Sequence, residues 1–141
     1  MAKVKRVRKK AAKKVVRKSR VEKPYNHGTM SKSMFFAMIR SALRQKSRWW
    51  KPIAECKKKA RRDYKGPLKR QKFEYQCNHC KNWFSDKKVA VDHIEPAGEL
   101  NSFEDLAQFT KNLFCEIDGL QVLCESCHDV KTKQEKENRK K

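Results

Sequence analysis

The stretch that decides the fold opens Cys77-Asn78-His79-Cys80 and continues through Val89-Ala90-Val91-Asp92-His93-Ile94. It ends Leu120-Gln121-Val122-Leu123-Cys124-Glu125-Ser126-Cys127-His128, with Lys131-Thr132 shortly after. Two CxxC pairs bracket an Asp-His dipeptide, and a histidine directly follows the last cysteine. Four thiolates saturate a tetrahedral zinc ion and leave no coordination position open, so Cys77, Cys80, Cys124 and Cys127 predict a structural metal site. Such a site ties the chain before Asp92 to the chain after it, which a domain this small needs. Disulfides and an iron–sulfur cluster compete for the same cysteines, but paired CxxC in a reducing compartment favours zinc. His79, inside the first pair, reads as a surface residue and not as a replacement ligand.

Between the pairs the pattern is that of short strands and one helix. Phe73-Glu74-Tyr75-Gln76 alternates apolar and polar as a strand leading into the first knuckle, and Trp83-Phe84 is expected to pack beneath the metal. Val89, Val91 and His93 alternate with Ala90, Asp92 and Ile94, which puts Asp92 and His93 on opposite faces of a regular strand. Ser102 and Asp105 suggest a capping box for a helix through Leu106, Phe109, Leu113 and Phe114, with Cys115 on its apolar face. Gly119 to Leu123 forms the second strand, and the last helix starts at Ser126 or Cys127.

Outward from this core the chain becomes strongly basic. Its 141 residues suffice for one compact domain plus extensions, with 38% hydrophobic and 38% charged residues. The net charge of +21 points to a polyanion, nucleic acid before an anionic membrane surface. No apolar run approaches the ~20 residues that span a bilayer, and the N-terminus has no hydrophobic segment of a secretory signal. The expected setting is intracellular, in the cytoplasm, with no membrane partner.

Four regions follow. Residues 1–23 form a basic arm with a single acidic residue, Glu22, expected to be disordered alone and to add affinity without sequence specificity; a solubilising tail is the alternative. Residues 24–72 read as a basic helical extension. In it Ser31 opens a helix whose apolar face is Met34, Phe35, Met38, Ile39, Ala42 and Leu43, serving the core or, alternatively, a protein partner docked through 31–45. A second helix, with Pro52 in its first turn, is expected to run from Ile53 to Arg62. Lys57, Lys58, Arg61, Arg62, Lys69 and Arg70 would track phosphates along it and the loop beyond, and Cys56 reads as a small buried hydrophobe. Residues 73–134 hold the metal-binding core, and 135–141 a basic tail.

Taken together, CxxC, Asp-His and the ending LCxxCHxxKT resemble the HNH endonuclease family in its zinc-stapled form, similar to stand-alone phage nucleases. The resemblance covers roughly the C-terminal half of the chain. It implies an α+β fold with a ββα-metal, or His-Me finger, core. It assigns Asp92 and His128 as ligands of a catalytic Mg²⁺ or Mn²⁺ ion and His93 as general base, and it places Lys131 and Thr132, with Lys133 beside them, near the phosphates. The family's middle motif has an asparagine where this chain has Gly119, and the expected substitute for its role is Asp118, with Asn112 and Asn101 as alternatives.

The function so implied is metal-dependent hydrolysis of DNA phosphodiester bonds, nicking one strand per encounter and leaving 5′-phosphate and 3′-hydroxyl ends. Double-stranded DNA would be the partner, held by its backbone. The rival is a non-catalytic, zinc-stapled, basic nucleic-acid-binding protein. A third reading is the nuclease subunit of a phage DNA-packaging complex.

Overall fold

The computed structural model describes residues 21–141, so all but the last three residues of the basic arm expected over 1–23 lie outside it. Tyr25 and Met30 close a tight turn in which Asn26, His27 and Gly28 all adopt positive φ. The Tyr25 ring stacks on Phe35 at 4.1 Å and fixes the entry to the first helix.

Ser31 starts that helix, α1 (Lys32–Ser47), by accepting the Met34 N–H on its hydroxyl at 3.3 Å. Its buried side is Phe36, flanked by Phe35, Ile39 and Leu43, and packs on Phe109 and Leu113 of α3 (Leu106–Leu113) and on Ala97 and Leu100. This corrects the expected face. Met34 and Met38 are about half exposed and Ala42 is exposed, whereas Phe36 takes the centre. Residues 34 to 39 are apolar all round the helix, so periodicity alone does not choose a face, and the aromatic ring with most area to hide goes inward.

Helix α2 (Lys51–Lys59) begins with Pro52 in its first turn and ends three residues earlier than expected. Arg61–Asp63 instead form an edge strand, β1, antiparallel to β2 (Phe73–Gln76), which pairs in turn with β3 (Trp83–Phe84). Cross-strand pairing explains the change. The Arg61 guanidinium lies 4.2 Å over the Phe73 ring, while Arg62 donates to Glu74 at 2.6 Å and covers the Trp83 ring at 3.8 Å. The boundary drawn between residues 72 and 73 therefore falls inside a three-stranded sheet. Helix α2 contributes Ile53 and Cys56 to a cluster with Tyr75, Leu120 and Val122, so it packs on the metal-binding half directly.

A second sheet holds only β4 (Val89–His93) and β5 (Leu120–Cys124), antiparallel in the register Val89↔Cys124 to His93↔Leu120. Helix α4 (Glu125–Asn138) leaves β5 with no intervening loop and packs against both strands. It continues to Asn138, so the expected separate tail over 135–141 is largely helical. The architecture is α+β, two small antiparallel sheets with helices around them. No helix among the described residues is long and apolar enough to cross a membrane.

Candidate functional site

The four cysteines of the two CxxC pairs converge. Their sulfurs all lie within 4.8 Å of one another, with Cys80 and Cys124 at 3.8 Å. A tetrahedral zinc ion with ~2.3 Å Zn–S bonds sets its sulfurs about 3.8 Å apart, whereas a disulfide needs ~2.05 Å. The residues thus fit a closed four-thiolate metal site. Convergence follows from the chain path: the β2–β3 turn carries Cys77 and Cys80, and the start of α4 brings Cys127 one turn beyond Cys124.

The electrostatics of the cluster point the same way. Burial opposes ionisation of Cys77, but backbone N–H groups around Cys124, Cys80 and His79 outweigh it and bring this thiol down to about 6. Burial also opposes Cys124, and the Ser126 hydroxyl and Cys127 N–H outweigh it there. Cys127, facing the sulfur of Cys124, is pushed up to about 12. Thiols crowded at one point share their remaining protons, and a divalent cation relieves that repulsion.

The cluster's surroundings hold two surprises. Phe84 and Leu123 pack against it, but Trp83, expected to join them, lies under Arg62 of β1 in the same three-stranded sheet. His79 is exposed as expected, yet its Nδ1 stands 3.5 Å from Cys127 Sγ.

At the far end of β4 the register sets Asp92 opposite Gln121 and His93 opposite Leu120. Asp92 turns toward α4. Its Oδ1 stands 3.8 Å from His128 Nε2, and its Oδ2 accepts from Lys131 Nζ at 2.8 Å and from Gln121 Nε2 at 3.4 Å. His93 turns toward α3, where its Nε2 lies 2.9 Å from the Leu113 carbonyl oxygen. A carbonyl only accepts, so Nε2 carries the proton and Nδ1 of the neutral ring keeps a free lone pair. A cleft of about 770 Å³ opens over Asp92 and His93, walled by α4, the Pro96–Glu99 loop and Arg44 of α1. His128, three residues before Lys131 on α4, meets Asp92 without lining that cleft.

Lys131 departs from the role implied for it. Its ammonium donates to Asp92 Oδ2, to the His93 carbonyl at 2.8 Å and to Glu135 one turn along α4. All three of its N–H groups are used, so none is left for a phosphate. Burial opposes its charge, but Asp92 and Glu135 outweigh it and hold the ammonium above the ordinary lysine range. Thr132 returns its hydroxyl to the His128 carbonyl at 2.9 Å.

The other expected contacts also divide. Lys57 pairs with Asp86 at 2.7 Å and Arg62 with Glu74, whereas Lys58, Lys69, Arg70 and Lys133 are exposed with no acidic partner among the described residues. Apart from Lys131, none of these basic residues lines the cleft over His93.

Asp118, expected to take the role of the resembled family's asparagine, lies away from the His93 cleft. It is exposed in the 3-10 turn Ile117–Gly119 and borders a different hollow, with Lys59 and Asn78. Asn112 donates to the Pro96 carbonyl and Asn101 to Glu99, so neither holds His93. Gly119 itself has a steric reason to be glycine: a Cβ there would stand 2.8 Å from Cys115 Sγ and 3.0 Å from its Cβ. Cys115, expected on the apolar face of α3, lies beyond that helix and fills this space. Sequence reasoning missed Gln121, Glu135 and the Leu113 carbonyl. The spacing of Lys131 and Glu135 at i,i+4 was the one available signal.

The chain matches no family model, no curated protein and no solved structure.

Proposed function

We propose that the chain is a metal-dependent DNA endonuclease of the HNH type, with β4, β5 and α4 as a ββα-metal unit. The observation that carries the reading is the pair of contacts at the end of β4: His93 bound through Nε2 to a carbonyl, and Asp92 facing His128 across 3.8 Å. That gap is within the ~4.2 Å span open to two ligands of one ion with ~2.1 Å bonds. A small divalent cation bound there would supply charge neutralisation for the phosphate and the leaving oxygen.

The chain's own residues supply the rest. His93 Nδ1 takes the proton of the attacking water, its ring oriented by Leu113 where the family uses an asparagine. Lys131 and Gln121 occupy Asp92 Oδ2, which leaves Oδ1 as the edge presented toward His128. In-line attack leaves a 5′-phosphate and a 3′-hydroxyl. A zinc ion on Cys77, Cys80, Cys124 and Cys127 would tie β5 and α4 to the first knuckle and so hold Asp92 and His128 in register.

The rival, a non-catalytic zinc-stapled binding protein, draws on Lys131 lying against Asp92, where it neutralises part of the charge a metal needs. Incubating supercoiled plasmid with the chain at low salt in Mg²⁺, Mn²⁺ or chelator separates the two. Open-circular product that needs the metal and carries 5′-phosphate ends supports the nuclease. Plasmid binding without cleavage in either metal supports the rival.

A further inference from the structure

Two arginines in the wall of the cleft over Asp92 and His93 have no acidic partner among the described residues: Arg44 on α1 and Arg139 just past α4. The carboxylates sharing that wall are engaged elsewhere. Asp92 and Glu135 share Lys131, and Glu99 accepts from the Asn101 amide at 2.9 Å. Arg44 is also held in place, its guanidinium 5.8 Å from the centre of the buried Phe109 ring, so less rotamer freedom is lost when it meets a ligand. Arg139 is tied at Nε to the Glu135 carbonyl at 3.3 Å, which leaves the outer fork of its guanidinium free.

We propose that Arg44 and Arg139 form a phosphate clamp that grips the nucleic-acid backbone entering the cleft, the task that Lys131 and Thr132 are not free to perform. The proposal rests on the nuclease reading for what lies in the cleft. It adds that α1, from the N-terminal extension, builds one side of the substrate site. Guanidinium forks match phosphate oxygens bidentately, and contacts from two elements on separate parts of the chain fix the strand's direction across His93.

The test is binding of a fluorescein-labelled 20-base-pair duplex to the full chain in chelator, across a range of salt, for the parent, Arg44→Ala, Arg139→Ala, both together, and Lys87→Ala, which removes a charge outside the cleft. Each arginine variant is expected to lower the salt slope by about 0.9, equivalent to roughly fivefold weaker binding at 0.15 M salt, and the double variant by about twice that slope. Lys87→Ala should stay near the parent, and Arg44→Lys with Arg139→Lys should restore most of the slope. Unchanged binding in the arginine variants overturns the clamp, and so does an equal loss in Lys87→Ala, which would mean diffuse charge alone. A parent that binds and shows these losses but never nicks keeps the clamp and removes the nuclease. A parent that nicks while the arginine variants bind normally does the reverse.

Discussion

Gly119 stands where the resembled family has an asparagine, and its neighbourhood makes a quantitative prediction. In Gly119→Ala the new Cβ would sit 2.8 Å from Cys115 Sγ, closer than real Cβ atoms approach, and 3.0 Å from Cys115 Cβ, tighter than most. Neither backbone is free to retreat. The Trp50 indole N–H donates to the Cys115 carbonyl at 2.8 Å, and Gly119 is held on both sides, its N–H on the Glu116 carbonyl and its carbonyl on the Ile94 N–H, each at 2.9 Å. Overpacking of this kind costs about 1–3 kcal/mol. Loss of chain entropy on replacing glycine offsets ~0.4–1 kcal/mol of that, since no positive φ is needed at this position. The net destabilisation is about 1–2 kcal/mol, or roughly 4–8 °C in Tm for a folded unit of this size.

The assay is thermal denaturation of zinc-loaded chain for Gly119→Ala, Cys115→Ala and the double variant. Removing the sulfur relieves the closer contact, so the double variant should be about 1 kcal/mol more stable than additivity allows. A Gly119→Ala variant as stable as the parent, or strictly additive losses, would refute this account of why asparagine is missing.

Three further outcomes follow from the same geometry. Lys131→Met strands the His93 carbonyl and two carboxylates, and should cost about 2 kcal/mol in urea denaturation; unchanged stability would mean those three bonds do not hold the end of β4 to α4. Metal analysis should find one zinc per chain, and stripping it or making Cys124→Ser should cost ~5 kcal/mol or more and undock α4; a stable, cooperatively folded zinc-free chain would contradict a structural role. The Asp105 carboxyl is held below its usual 3.8 by the N–H groups of Asn101 and Ser102 and the Ser102 hydroxyl. A depressed acid contributes stability above its unfolded value that is lost as pH falls through its folded one. The Tm gap between parent and Asp105→Asn should therefore be widest near neutral pH and close below pH 3.8; a gap that persists in acid would refute the carboxylate's part.

What could be read in the residues was local or short-range. Ser31 announces α1, Pro52 announces α2, and each CxxC spacing brings its own two sulfurs together within a single turn, while Asn78 and Val122 join the two pairs across the chain. What could not be read depended on partners distant in the chain. Nothing in Arg61-Arg62-Asp63 signals a strand, which exists because Phe73, Glu74 and Trp83 offer rings and a carboxylate across the ladder. The apolar girdle of α1 left its face open until α3 covered Phe36 and left Met34 and Met38 outside. At the site, the His93 ring is oriented by a main-chain carbonyl, which any residue at 113 provides and no motif encodes. Lys131 looked like a phosphate contact because its position matched a motif, and it was claimed instead by acceptors on β4 and α4.

The most direct measurement of the central claim compares plasmid nicking by the parent and by His93→Ala in Mg²⁺ and Mn²⁺, at protein concentrations giving equal plasmid occupancy. His93 takes the proton of the attacking water in this account, so the variant should bind plasmid like the parent and nick about 10²–10⁴-fold more slowly. Equal rates from the two proteins, or no metal-dependent nicking by the parent, would contradict it.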